Sequence, residues 1–145
     1  MPTSAPAKRT AAQESWELIR QLWTGNFPRM MAQFAEFDLA KQQAFALTHL
    51  EPDEPKPMSE LAASMFCDAS NITGIADRLE SRGLVERRSS AHDRRVKMLV
   101  LTPEGERVRA EIVARLQDPP ESLTSLPAAN QRALRDLLRR AVAEK

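Results

Sequence analysis

The chain has 145 residues, enough to bury a core and few enough for one domain, or one domain with an added dimerisation arm. With 42% hydrophobic and 28% charged residues it reads as a globular chain, and a single cysteine, Cys67, excludes a disulfide framework within it. The formal net charge is only +1, yet seven cations against three acids fall between Arg78 and Lys97, leaving the remainder net acidic. A directional basic patch of this kind suits a nucleic-acid partner, although a solvated face carries similar charge runs. No apolar stretch is long enough for a membrane span, and the first twelve residues hold no apolar signal core. The expected compartment is therefore the cytoplasm, with no membrane partner.

Residues 1–11 show no hydrophobic period and are expected to form a flexible N-terminus. From Ala12 to Leu50 the pattern is helical. Trp16, Ile19, Trp23, Phe27, Met30 and Phe34 recur every three or four residues, which places them on one face, with Gly25 and Pro28 expected to kink the element. A second helix is expected from Ala40 to Leu50. The segment Glu51 to Pro57 holds three prolines in seven residues and is predicted to be a loop.

Ser59 is the predicted N-cap of a short helix carrying Leu61, Ala62 and Met65. After a turn at Phe66-Cys67-Asp68, Asp68 is predicted to cap a second helix, whose Ile72, Ile75, Ala76 and Leu79 share one face and whose C′ residue is Gly83. Two short helices joined by a tight turn form a helix-turn-helix pattern. Leu84 to Arg88 and Val96 to Leu101 then read as strands flanking a polar turn. Thr102-Pro103-Glu104 opens a helix that Pro119-Pro120 ends after about Gln117, and a last helix follows Pro127, with Leu134, Leu137, Leu138, Ala141 and Val142 on one stripe.

Catalytic material is sparse. There are two histidines, His49 and His92, and no tyrosine; the four glycines are scattered rather than gathered into a phosphate-cradling loop. One cysteine and two distant histidines give no zinc spacing, so no enzyme activity, metal or cofactor is expected. A recognition helix must expose short polar side chains near its N-terminus, and Ser70, Asn71 and Thr73 lie there. Arg78, Arg87 and Arg88 are placed to meet phosphates. The competing readings are helix capping for Ser70 and solvated salt bridges for the arginines. Cys67 fits either a small core thiol or a redox sensor. Trp16, Trp23, Phe34 and Phe45 fit either a core and interface or the lining of an effector pocket.

Several fragments in this order resemble one family. Met58-Ser59-Glu60-Leu61-Ala62, then Asp68 to Gly83, then Leu84-Val85-Glu86-Arg87 resemble the DNA-binding core of the MarR family, the multiple antibiotic resistance regulators. The run Asp93-Arg94-Arg95-Val96-Lys97-Met98-Leu99-Val100-Leu101-Thr102-Pro103-Glu104-Gly105 is similar to its wing signature: Asp-x-Arg, a strand, then Leu-Thr-x-x-Gly. The resemblance implies a mainly α fold, a winged helix-turn-helix with a two-stranded β wing and N- and C-terminal dimerisation helices. Its bounds would be one domain over residues 12–145, with a lobe at 57–103 and arms at 12–50 and 104–145.

The implied function is that of a homodimeric regulator, commonly a repressor, binding inverted repeats of double-stranded DNA. Release would follow binding of a small aromatic or phenolic ligand, or oxidation of a cysteine. Arg95 corresponds to a wing-tip arginine for the minor groove, where narrowing deepens the negative potential, and Asp93 to its orienting partner. Ser70, Asn71 and Thr73 correspond to base- and backbone-reading positions. Ser59, Gly74, Arg78, Arg87, Arg88, Arg94 and Lys97 complete the expected DNA-binding set. Two departures stand out: Gly74 replaces a larger residue in the recognition helix, and Asp38 and Lys41 replace a glycine and an apolar residue. A winged-helix module that binds another protein, without an operator of its own, is the alternative.

Overall fold

The computed structural model describes residues 9–143. Helix α1 (Ala11–Gly25) opens with a reciprocal cap: Thr10 Oγ1 accepts from Gln13 N–H at 3.2 Å, and Gln13 Oε1 accepts from Thr10 N–H at 2.9 Å. The expectation of a flexible segment over 1–11 therefore fails at its end, and its residues 1–8 lie outside the described residues. The predicted kink is a full break. Asn26 ends α1, and α2 (Phe27–Ala35) restarts with Pro28 in its first turn, where a missing N–H costs nothing.

Between α2 and α3 (Lys41–Thr48) the chain turns through Asp38 at φ +53°, a left-handed conformation that a short polar side chain tolerates. This is the position where the resemblance implies glycine. Lys41, the other departure, sits 4.5 Å from the centre of the Phe27 ring.

The proline-rich segment is mostly loop, but its end is not. Lys56–Pro57 forms an edge strand, β1, and Lys56 Nζ donates to the carbonyl of His49. Proline suits this place because an edge strand leaves one side of its backbone unpaired. Helix α4 (Met58–Ser64) and helix α5 (Ala69–Ser81) form the helix-turn-helix. Pro57, not Ser59, occupies the cap position of α4, which puts the predicted cap two residues further on, in the first turn of the helix.

Strands β2 (Val85–Ser89) and β3 (Lys97–Leu101) pair antiparallel, from Val85 opposite Leu101 to Ser89 opposite Lys97. With β1 on the far side of β3, the sheet has three strands in the order β1-β3-β2, where the sequence suggested two. A two-residue strand carries no period to read. The remaining elements are α6 (Pro103–Gln117), a single-turn α7 (Glu121–Thr124) and α8 (Ala128–Ala143).

One core gathers Met30 and Phe34 from α2, Leu47 from α3, Leu61 from α4, Ile72, Ile75 and Leu79 from α5, Leu99 from β3 and Ile112 from α6. Gly105 lets α6 seat on this core: a β-carbon there would fall 1.8 Å from the carbonyl oxygen of Leu84. Thr102 Oγ1 pins the same corner, accepting from Gly105 N–H at 3.0 Å and donating to the Gly83 carbonyl at 2.6 Å. The Leu-Thr-x-x-Gly run is thus a packing requirement of this corner. Helices α1 and α8 bury no residue. Among the described residues no helix is long and apolar enough to cross a membrane.

Candidate nucleic-acid interface

Helix α5 starts where its sequence says it should. Asp68 accepts from Asn71 N–H at 2.8 Å and from Ser70 Oγ at 2.8 Å, and these bonds hold its carboxyl below the ordinary carboxylate value. Burial of Ile72, Ile75, Ala76 and Leu79 fixes the helix rotation, so Ser70, Asn71, Thr73, Gly74 and Arg78 all face solvent. Their chemistry is not equal. Ser70 spends its hydroxyl proton on Asp68, and Thr73 donates to the carbonyl of Ala69 at 2.9 Å. Among the described residues the Asn71 amide finds no hydrogen-bond partner, which leaves both its donors and its acceptor for a partner molecule.

Beside these residues lies a shallow depression of about 180 Å³, lined by Ser70, Asn71, Gly74, Ile75 and Arg78 together with Gln42 and Gln43 of α3. No acidic side chain lines it. Gly74 forms part of its wall, and a β-carbon there would meet nothing within 4 Å. Packing therefore does not demand the glycine, although it costs the helix about 1 kcal/mol. Gln42 and Gln43 are absent from the sequence-derived site, since they lie outside the helix-turn-helix and carry no charge.

Arg87 corrects a prediction. Its side chain is bound within the lobe, to Asp77 and to Glu80 at 2.9 Å, and it also donates to the carbonyl of Thr73. The Asp77 hydrogen bond first, then Glu80, raises its already high pKa. Instead of meeting phosphate freely, Arg87 ties strand β2 to α5. Sequence shows the cation but not that α5 supplies two carboxylates to receive it. Arg82 is similarly committed, donating to the backbone carbonyls of Phe37 and Asp38. Arg88 remains exposed beside Glu86 at 3.0 Å.

The wing tip is differently built. Asp93 Oδ1 accepts from the backbone N–H of Arg95 at 2.9 Å, and the Asp93 carbonyl accepts from Val96 N–H at 3.0 Å. Asp93 thus orients Arg95 through its backbone; the side chains approach only to 3.9 Å. The Arg95 side chain is 96% exposed. Arg94 is exposed as well, and Lys97 reaches Ser89 Oγ at 3.3 Å. Among the described residues, Arg78 on the helix and Arg94 and Lys97 on the wing have no acid partner, and Arg95 has only the long contact to Asp93. Ser59, in the first turn of α4, is exposed, and its side chain makes no hydrogen bond among the described residues.

The expected aromatic pocket is not assembled within one chain. Trp16 and Trp23 are exposed on α1, whereas Phe34 is buried and meets Phe45 edge-on at 5.5 Å. The break at Asn26 separates the two pairs. The larger apolar depression lies elsewhere, about 630 Å³ between α7 and α8, lined by Leu123, Leu126, Leu134, Leu138 and Val142 among others.

Residues 39–97, spanning the end of the first arm, the helix-turn-helix and the wing, match the model of the MarR family. That match covers the central part of the chain, and the likeness to the MarR family is specific to it. Among the relatives is the HTH-type transcriptional repressor MdtR of Bacillus subtilis, 34% identical over 60% of this chain and 56% of that protein. The transcriptional repressor MprA of Escherichia coli is 41% identical over 47% of this chain and 40% of that one. The chain spans about half the length of these curated relatives.

Solved structures extend the likeness of fold to nearly the whole chain. A MarR family protein from Bacillus stearothermophilus superposes with a TM-score of 0.77 at 25% identity, covering 92% of this chain and 94% of that one. A mutant of S. aureus MepR, solved bound to an oligodeoxyribonucleotide, gives 0.65 at 16% identity, covering 94% and 98%.

Proposed function

We propose that this MarR-like chain is a sequence-specific, double-stranded DNA-binding transcriptional regulator that represses as a homodimer. The observation that carries the reading is the pairing of one amide with several cations, all exposed: Asn71 on the recognition helix, flanked by Arg78, with Arg94 and Arg95 on the wing. Such an arrangement matches base edges in the major groove with phosphate and minor-groove charge outside it. The relatives named as repressors, and the MepR mutant solved with an oligodeoxyribonucleotide, support the same reading.

The homodimer rests on α1 and α8. Trp16, Leu18 and Trp23 on one, and Leu137 and Val142 on the other, stand exposed on helices that bury nothing. Together they form the kind of surface a second copy covers. Two-fold symmetry then presents two recognition helices to an inverted repeat, with half-sites about one helical turn apart.

Release by a small aromatic or phenolic ligand is the regulatory part of the proposal. The α7–α8 depression has the size and apolar lining such a ligand needs. Oxidation is less well supported, because Cys67 packs half-buried against the core and has no second thiol to resolve it.

Duplexes selected by the protein from a random pool, titrated by fluorescence anisotropy over a range of salt, test the reading. An enriched motif with inverted symmetry and tight, salt-dependent binding is the expected result. A protein that enriches no motif is the protein-interaction module instead. A phenolic ligand should weaken duplex binding, and by linkage the duplex must weaken ligand binding by the same factor.

A further inference from the structure

We propose that Phe66 is a DNA-contacting residue, its ring packing on the apolar edge of a nucleotide, a thymine methyl or a deoxyribose, beside the N-terminus of α5. This rests on the DNA-binding reading above and adds to it a contact outside the recognition helix. The argument begins with two helix ends that use the same backbone device. At the end of α5, Gly83 N–H donates to the Glu80 carbonyl at 2.9 Å and Leu84 N–H to Leu79 at 3.0 Å. At the end of α4, Phe66 N–H donates to Ala63 at 3.2 Å and Cys67 N–H to Ala62 at 3.0 Å. Both form the two-bond cap that requires a left-handed residue, with φ of +68° at Gly83 and +52° at Phe66.

Glycine meets that requirement without strain, and a phenylalanine does not. The other two non-glycine residues at positive φ among the described residues are Asp38 and Asp53, whose short polar side chains suit it. Nor is the strain at Phe66 offset by burial. The residue is 99% exposed, while the apolar contact that accompanies such caps is made by the next residue, Cys67 here and Leu84 at the twin. A bulky ring thus sits where the fold prefers glycine and touches almost nothing of its own chain. Strain held without a folding benefit points to a contact outside the molecule.

Position identifies that contact. Phe66 precedes by two residues Asp68, the cap of α5, and so flanks the end bearing Ser70 and Asn71. In a duplex the base faces are stacked, and the apolar surfaces open to a ring at a groove edge are thymine methyls and sugars. A contact of this kind carries no charge, so its contribution is independent of salt.

The test uses duplexes selected by the wild-type protein, with thermal melts alongside. Phe66→Gly is expected to melt at a higher temperature and to bind about tenfold more weakly, as for loss of roughly half a phenyl ring's buried area. The slope of affinity against salt should not change, and Phe66→Leu should retain most of the affinity. Replacing thymine by uracil in the duplex separates the sources. If the Phe66→Gly deficit disappears on the uracil duplex, the ring meets a thymine methyl; if it persists, it meets the sugar. Wild-type affinity in Phe66→Gly overturns the proposal. So does a loss that merely follows a lowered melting temperature, or one that changes the salt slope. A wild-type protein that selects no duplex overturns the DNA-binding reading as well, and is distinguished by failing before any variant is made.

Discussion

The winged-helix lobe and the two terminal arms follow opposite rules of burial. In the lobe, the apolar positions of α4, α5, β2 and β3 all find partners in the same chain: Leu61, Ile72, Leu79, Val85 and Leu99 are almost completely covered. In α1 and α8 the stripes are as regular, yet Trp16, Trp23, Leu137 and Val142 each stay more than half exposed. A hydrophobic period states which face is to be covered and not by what. The stripes of the lobe are therefore covered within the chain, by one another and by α2, α3 and α6, whereas α1 and α8 carry a surface whose burial depends on a second surface.

The most severe way to break the lobe is at its tightest approach. Gly105→Ala places a methyl group 1.8 Å from the Leu84 carbonyl oxygen, and backbone rather than a flexible side chain would have to yield. The expected loss is about 3 kcal/mol or more, a fall in Tm on the order of 10 °C, measured by circular dichroism. An unchanged melt would mean that the α6 corner is loosely seated. The arms answer to a different assay. Leu137→Asp together with Val142→Asp should leave the helical signal of the lobe intact while halving the mass in light scattering. It should also weaken duplex binding, since two half-sites are no longer held by one particle. A variant that keeps the wild-type mass would show that α8 lies outside the dimer contact.

The same contrast explains what was legible in the sequence. Capping and packing signals read correctly: Asp68, Gly83, Thr102 and Pro103 stand where their chemistry put them, because each acts on neighbours a few residues away. The misses share the opposite property. Arg87 reads as a free cation until α5 brings Asp77 and Glu80 to it. Strand β1 exists only because β3 lies beside it, and Pro57 displaces Ser59 from the cap for the same reason. Gln42 and Gln43 join the candidate interface only through the packing of α3 on α5. Trp16, Trp23 and Phe34 share a spacing but not a place, because Asn26 interrupts the helix that the spacing assumed.

Within the lobe, helix and wing can be separated by what they read. Asn71→Ala should cost about 1–3 kcal/mol on a selected duplex and much less on random DNA, since its amide suits the edge of adenine. Arg95→Ala should weaken both, and reduce the salt slope by about one phosphate equivalent or less, because charge rather than sequence draws it into the minor groove. The Arg95 side chain is almost wholly exposed and comes no closer than 3.9 Å to Asp93, so the variant's melt should match wild type. If Asn71→Ala weakened random and selected duplexes equally, the amide would be a backbone contact.

The smallest expected effect concerns the cap that starts α5. Asp68 is fully exposed, but its carboxylate accepts from Asn71 N–H and Ser70 Oγ, and those bonds lower its pKa from the ordinary 3.8. A carboxyl lowered on folding contributes its stability in full above the ordinary value and loses it as pH falls through the lower, folded value. The contribution is thus constant at neutral pH and fades only below about pH 4. Glu17, Glu104 and Asp136 are lowered in the same direction by their arginine neighbours, so the acid limb of the whole protein does not isolate one cap. A difference between two proteins does. Asp68→Asn keeps a capping oxygen of nearly equal quality and removes the titration. Melting curves of the two should coincide near neutrality and diverge below about pH 4, where the wild type loses an increment that the variant does not. Parallel acid limbs would mean that the cap contributes equally in both protonation states, and that α5 is held at its N-terminus by the burial of Ile72 and Ile75 alone.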